Sequence, residues 1–297
     1  MAQLSLAHLP PAPRAEKRPT TQTVHGVTLT DEYAWLRADN WQEVMRKPEL
    51  LPQDIRAYIE AENAYCDKAL ASTKDLQTKL FEEMKGRIKE DDTSVPTPDG
   101  PYAYNSRFIT GGQYPLFVRT PRNGGDETIL LDGNKEAQGK EFWMLGGFSH
   151  SPDHNLIAYG VDDKGSELFT LRFRNIATGR DLDDVIEDTA GGAVWSADSH
   201  TVFYSKRDEN HRPKFIYRHK LGTPQSADVL VYEEQDPGFM AGVSKTQSGD
   251  CILIETHDHQ TSEVYIIDAH TPDGAVHLVA KREPGHEYSV EHWGKEI

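Results

Sequence analysis

Cysteine is almost missing from this chain, with only Cys66 and Cys251 among 297 residues. A disulfide framework needs more, and a thiolate metal centre needs a CxxC-like pair, so both are excluded. The expectation is two reduced thiols that pack as small hydrophobes. Long apolar runs are missing too. Nothing approaches the roughly 18 consecutive apolar residues of a membrane-spanning helix. Near the start, Leu4, Leu6, Ala7 and Leu9 give way to Pro10 and Pro11. That stretch is too short for a signal-peptide core and has no basic region before it, which predicts a cytoplasmic protein. Bases are outnumbered, 32 against 48 acids, for a net charge of -16. Nucleic-acid binding requires a basic footprint and is disfavoured. Basic partners or cationic peptides fit this charge better, through long-range steering.

What the chain does hold is organised in two styles. Residues 1–30 carry Pro10, Pro11, Pro13 and Pro19 without a sustained period and read as an extended arm. The aromatic patch Asp31-Glu-Tyr33-Ala-Trp35-Leu36-Arg37 follows, with Trp41 close behind. Pro52 suits the first turn of a helix, where its missing N–H would have no partner anyway. Ile55, Tyr58, Ile59 and Tyr65 then share roughly one face. A second apolar stripe runs through Leu76, Leu80, Phe81, Met84 and Ile88 at helical spacing. Such stripes are core surface that requires a partner.

After Asp92 the period changes from about 3.6 to 2. Thr97-Pro-Asp-Gly100 signals a turn, and Tyr102, Tyr104 and Phe108 open a strand pattern. From there a unit recurs: an apolar start, a turn around Ser-x-Asp, then paired strands. Its copies begin at Phe148-Ser-His-Ser-Pro-Asp153, Val194-Trp-Ser-Ala-Asp198 and Val243-Ser-Lys-Thr-Gln-Ser-Gly-Asp250. The turn acids Asp153, Asp198 and Asp250 stand about 45 and about 52 residues apart, near the period of β-propeller blades. The pattern predicts an all-β propeller of about four four-stranded antiparallel blades. Another start at Tyr288-Ser-Val-Glu-His292 predicts the opening strand of a fifth blade. A blade needs neighbours on both faces, so the chain is expected to be the front part of a larger protein.

These residues resemble the prolyl oligopeptidase family of serine peptidases and, within it, the oligopeptidase B (protease II) branch. Pro10-Pro11, His25-Gly26 and Asp31-Glu-Tyr-Ala-Trp-Leu-Arg37 are similar to the family's opening motif. Tyr58-Ile-Glu-Ala-Glu-Asn63 resembles its helical signature, and Arg87-Ile-Lys-Glu-Asp-Asp92 with Gly100-Pro-Tyr-Ala-Tyr104 the passage into the first blade. The oligopeptidase B likeness is strongest in Asp208-Glu-Asn-His-Arg-Pro213, Arg218-His-Lys-Leu-Gly222-Thr and Arg282-Glu-Pro-Gly-His286-Glu-Tyr. The resemblance implies an α/β-hydrolase domain with a Ser/Asp/His triad, covered by a seven-bladed propeller that admits only short peptides. It also implies cleavage after Arg or Lys. On this template residues 1–86 are an α-helical arm that packs on the C-terminal hydrolase domain, and residues 87–297 are blades one to four with the start of blade five.

The nucleophile of such a hydrolase sits in a tight G-x-S-x-G turn between strand and helix. No such pentapeptide occurs here, and Gly165-Ser166 and Gly242-Val-Ser244 lie in turn or strand context. No catalytic, cofactor-binding or metal-ligating residue is therefore assigned to any position, and no cofactor is expected. Other constellations read as structural. His257 and His259, at i and i+2 of a strand, would share a face but lack a third ligand for zinc. His150 and His154 flank Ser151-Pro-Asp153 as turn stabilisers. The acids Glu90, Asp91 and Asp92, and Asp181, Asp183, Asp184, Glu187 and Asp188, read as solvated loop or outer strand. Arg207, Arg212 and Arg218 are candidates for pairing with hydrolase carboxylates. The rival to a peptidase part is a non-catalytic propeller scaffold that binds a protein or peptide partner.

Overall fold

The computed structural model describes residues 9–294, and the chain divides into two compact units, Met1–Glu90 and Asp91–Ile297. In the first, strands β1 (Thr20–Val24) and β2 (Val27–Asp31) form an antiparallel hairpin. Its turn residues His25 and Gly26 have φ of 51° and 77°. Two left-handed residues are what a two-residue hairpin turn demands, because their twist matches that of the strands. Helices α1 (Trp41–Arg46), α2 (Gln53–Leu70) and α3 (Lys74–Lys85) follow. Pro52 stands immediately before α2. The aromatic patch ties the arm to that helix. The Arg18 guanidinium lies 4.1 Å above the Trp35 ring and bonds Asp54 at 2.6 Å. Trp35 meets Tyr58 edge-on and donates from Nε1 to the Glu16 carbonyl. Ile55 is the buried residue of α2, whereas Ile59 is exposed. On α3 the whole stripe is open, with Phe81 58% and Met84 60% exposed.

The second unit is built of four-stranded antiparallel blades. Blade one comprises β3 (Thr97–Asp99), β4 (Tyr102–Arg107), β5 (Leu116–Pro121) and β6 (Thr128–Asp132). The short helix α4 (Gly133–Glu136) follows, with the Asp132 carboxylate accepting from the amides of Asn134 and Lys135 at its start. Blade two comprises β7 (Met144–His150), β8 (Leu156–Asp162), β9 (Phe169–Asn175) and the first part of β10 (Arg180–Trp195). The end of β10 leaves β9 and pairs with β11 (Thr201–Arg207) through Ala193–Trp195. One long strand is thus the outer strand of blade two and the inner strand of blade three. Blade three is completed by β12 (Pro213–Lys220) and β13 (Val229–Glu233). Blade four comprises β14 (Met240–Lys245), β15 (Cys251–His257), β16 (Ser262–Asp268) and β17 (His277–Ala280).

Glycine makes the crossing of β10 possible. A Cβ on Gly160 would fall 2.1 Å from the Gly191 carbonyl oxygen, and one on Gly146 would fall 2.9 Å from Gly191 Cα. Gly191 itself has φ of 105°. Backbone approaches backbone here with no room for a side chain.

Period-2 alternation explains why the middle strands read as unbroken apolar runs: successive residues serve opposite blade interfaces. Ile157, Tyr159 and Val161 pack with Leu131 and Trp143 between blades one and two. Leu156 and Ala158 point the other way and join Leu171, Phe173, Trp195, Val202 and Tyr204 between blades two and three. Phe203 turns from that cluster to Ile216, Ile252, Ile254 and Ile267 between blades three and four. Trp195, Phe203 and Leu171 are fully buried, as their positions in the repeat require.

The repeat turn is the same structure three times. The amides of Ser151, Ser196 and Thr246 donate to the carbonyls of Leu156, Thr201 and Cys251. His154, Ser199 and Gly249 close the turn on the same residues in left-handed conformation. The third turn acid corrects the sequence reading. Asp153 and Asp198 accept the amides of Asn155 and His200, but in blade four the acceptor is Ser248, two residues before Asp250, whose amide it accepts. Residues 288–292 form no sheet of their own, since no further strands stand beside them among the described residues. They lie instead on blade four, where Tyr288 and Val290 cover Cys251, Leu253 and Val264. Cys251 is buried as expected, whereas Cys66 is exposed on α2.

Candidate functional site

The first strands of blades one, two and four end at Asp99, His150 and Lys245, and these three side chains line one cleft. Its walls include Tyr104, Phe117 and Phe148, and its volume is about 450 Å³. Tyr104 stacks on the His150 ring at 3.9 Å, with planes only 9° apart. The Tyr104 hydroxyl lies 2.8 Å from His154 Nδ1, and His150 Nε2 lies 3.3 Å from the Asp99 carboxylate. His150 Nδ1 faces the Ser151 carbonyl at 3.2 Å. Arg119 stacks above Tyr102 and donates to the His154 carbonyl. Burial holds the His150 imidazole below its ordinary range, against the opposing pull of the Ser151 carbonyl and Asp99. Burial likewise lowers the Lys245 ammonium, with Asp99 acting against it.

The histidines expected to stabilise a turn therefore also belong to a cluster shared by blades one and two, which the sequence reading missed. One signal was available. His154 occupies the left-handed position that Ser199 and Gly249 fill in the other copies. The pair His257 and His259 is not brought together as expected. His257 ends β15, and His259 lies beyond it in a bend, where Asp258 accepts the amides of Gln260 and Thr261.

The arginines are engaged within the blades. Arg207 pairs with Glu167, Arg212 with Asp208, and Arg218 donates to the Pro272 carbonyl. The acidic outer strand is partly internal too. Asp181 is bound by Arg174 and Tyr159, while Asp184 and Asp228 flank the buried His219 imidazole. Arg282 has a comparable role in blade four, bridging the buried carboxylates of Glu234 at 2.7 Å and Glu263 at 2.9 Å. These networks are closed on themselves and present no nucleophile beside a base. Gly165-Ser166 lies in a turn whose Ser Oγ faces Asp162 and the Leu168 carbonyl, and Ser244 on β14 donates to Glu255.

Known proteins share this fold. The family described as "Prolyl oligopeptidase, N-terminal beta-propeller domain" matches residues 10–297. Dipeptidyl aminopeptidase BI of Pseudoxanthomonas mexicana is 35% identical over 94% of this chain and 40% of its own length. Oligopeptidase B from Leishmania major superposes with a TM-score of 0.87 at 28% identity, covering 96% of this chain and 41% of that one. Oligopeptidase B from Trypanosoma brucei, solved with covalently bound antipain, gives 0.84 at 30% identity with the same coverage. The chain spans about 40% of the length of the curated relatives it matches. Arm, blades and repeat turns together place it: the chain belongs to the prolyl oligopeptidase family, as an oligopeptidase B-like N-terminal β-propeller domain.

Proposed function

We propose that this chain is the arm and propeller of a cytoplasmic serine oligopeptidase that cleaves short peptides after Arg or Lys. Residues 1–86 would seat on an α/β-hydrolase domain, and residues 87–297 would roof its active site so that folded proteins are excluded. The observation that carries this reading is the open apolar face of α3, where Leu76, Leu80, Phe81 and Met84 are all exposed. Contiguous exposed apolar surface marks an interaction site. The acidic balance of the chain favours approach of cationic peptides. Bond cleavage would follow acyl transfer by Ser, His and Asp supplied by the hydrolase domain.

The 35% identical relative is named a dipeptidyl aminopeptidase, which raises a second reading: release of dipeptides from a free N-terminus. One experiment separates the two. The product of the complete gene is given fluorogenic peptides that end in Arg, Lys, Ala or Phe, each with a free and a blocked N-terminus. Cleavage of blocked Arg and Lys peptides supports the oligopeptidase B type. Strict dependence on a free N-terminus supports the other, and loss of neither Ala nor Phe peptides removes the basic specificity. Gating predicts that cleavage falls sharply as the substrate grows from a short peptide to a folded protein.

A further inference from the structure

We propose that Asp99, His150 and His154 form a binding site for a zinc-class divalent ion that staples blade one to blade two. Each residue offers one donor atom, and the three donor atoms lie within 4.8 Å of one another. Asp99 comes from β3 of blade one, whereas His150 and His154 come from β7 and its following turn in blade two. An ion held by all three would therefore add a cross-link between two blades that already pack through Leu131, Ile157 and Tyr159.

Donor chemistry selects the ion. Two imidazoles and one carboxylate match zinc and its borderline neighbours, while calcium and magnesium prefer all-oxygen shells. The His150–Asp99 separation of 3.3 Å is already that between two ligands of a tetrahedral ion with bonds of about 2.0–2.1 Å. Three protein ligands would leave a position for water. The surroundings look built to orient the rings. His150 Nδ1 faces the Ser151 carbonyl, which leaves Nε2 free toward Asp99. The Tyr104 hydroxyl engages His154 Nδ1, and Arg119 holds the backbone carbonyl of the same residue. Such outer partners are the usual support of metal-binding imidazoles.

Two further features point to these residues. Gly100 makes room for the His154 ring, since a Cβ there would fall 2.4 Å from its Nε2. His154 adopts φ of 61°, a left-handed conformation that His takes more readily than most non-glycine residues, at the position where the other copies of the turn use Ser199 and Gly249.

The test uses the 297-residue chain, stripped with EDTA and titrated with Zn²⁺ by calorimetry and with Co²⁺ by visible absorption. One ion per chain is expected, together with a higher melting temperature that EDTA reverses, because a ligand that binds only the folded state stabilises it. His154→Asn retains a residue that tolerates the left-handed turn and should abolish the stoichiometric phase, as should Asp99→Asn at an exposed position. Tyr104→Phe should weaken binding by about tenfold or more. The double variant His257→Asn, His259→Asn should bind as the parent does. Circular dichroism of each metal-free variant checks that the blades remain folded. Absence of saturable binding overturns the proposal. So does binding that survives both His154→Asn and Asp99→Asn, or binding that is lost with His257 and His259.

Discussion

At Gly160 the fold depends on the absence of a single methyl group. Its ideal Cβ would stand 2.1 Å from the Gly191 carbonyl, whereas Gly192, one residue further along β10, has nothing within 4 Å of its own. Gly160→Ala should therefore cost at least about 1–3 kcal/mol, the usual range for overpacking. Gly192→Ala should leave the urea midpoint nearly unchanged. Equal midpoints for the two variants would show that β7, β8 and β10 do not meet as described. Arg282 offers a second test at this scale. Burial would push the carboxyls of Glu234 and Glu263 up, but hydrogen bonds from Arg282 and neighbouring amides outweigh it and hold both below the ordinary carboxylate range. Removing Arg282 leaves two buried carboxylates unpaired, at about 3–5 kcal/mol. Groups with depressed pKa values contribute stability above the unfolded carboxylate range and lose it as pH falls through their folded values. The parent should thus weaken on acidification below about pH 4.3. Arg282→Ala reverses that dependence, since its buried carboxyls favour the protonated form, and its deficit should shrink as pH falls. A deficit in denaturant midpoint that stays constant from pH 7 to pH 4 would contradict the network.

Among the elements, α3 and the middle strands make opposite demands. The stripe of α3 is exposed, so Leu80→Lys with Phe81→Glu should cost no more than about 0.5 kcal/mol in this chain, as surface changes do. The same pair should lower self-association measured by light scattering, and unchanged scattering would remove α3 as a docking face. The middle strands β8 and β11 are buried on both sides. Their amides should exchange most slowly, with the exposed hairpin β1–β2 and edge strand β17 exchanging fastest. Mass-spectrometric hydrogen exchange that is uniform from Tyr102 to Ala280 would refute that ranking. Which elements could be read beforehand follows from the same physics. Leu156-Ile-Ala-Tyr and Thr201-Val-Phe-Tyr announce strands because each serves two interfaces. The outer half of β10 read only as solvated loop or outer strand, because its acids leave only Leu182, Val185 and Ile186 as apolar signal, and no local period reports that Asp181 and Asp184 are held by Arg174 and His219. The register of blade four was misplaced by taking Asp250 for the turn acceptor that Ser248 supplies. The cleft of Asp99 and His150 was invisible for a different reason. Those residues meet across two sheets, and no local period reports which strand ends converge.

For the whole molecule, the packing has a direction. Each blade passes half of its middle-strand side chains to the next, through clusters centred on Tyr159, Trp195 and Ile254, and at blade four Tyr288 and Val290 take the position of the following partner. Stability in such architectures is roughly a sum of unit and interface terms. Cys251→Ala and Leu253→Ala should therefore cost less than Leu171→Ala, where both flanking blades are in place and about 2–5 kcal/mol is expected. Equal losses in denaturant midpoint would mean that the Tyr288 segment seals blade four as well as a blade does. The central proposal is that this chain shapes access to a catalytic centre and holds none itself. It is tested most directly by a fluorophosphonate serine label, applied in parallel to the 297-residue chain and to the product of the complete gene, with turnover of a fluorogenic Arg peptide followed in both. The account predicts no labelling and no turnover for the chain, against one labelled serine and matching turnover for the complete product. Stoichiometric labelling of one serine in the chain itself, with turnover that falls as the label is incorporated, would contradict it.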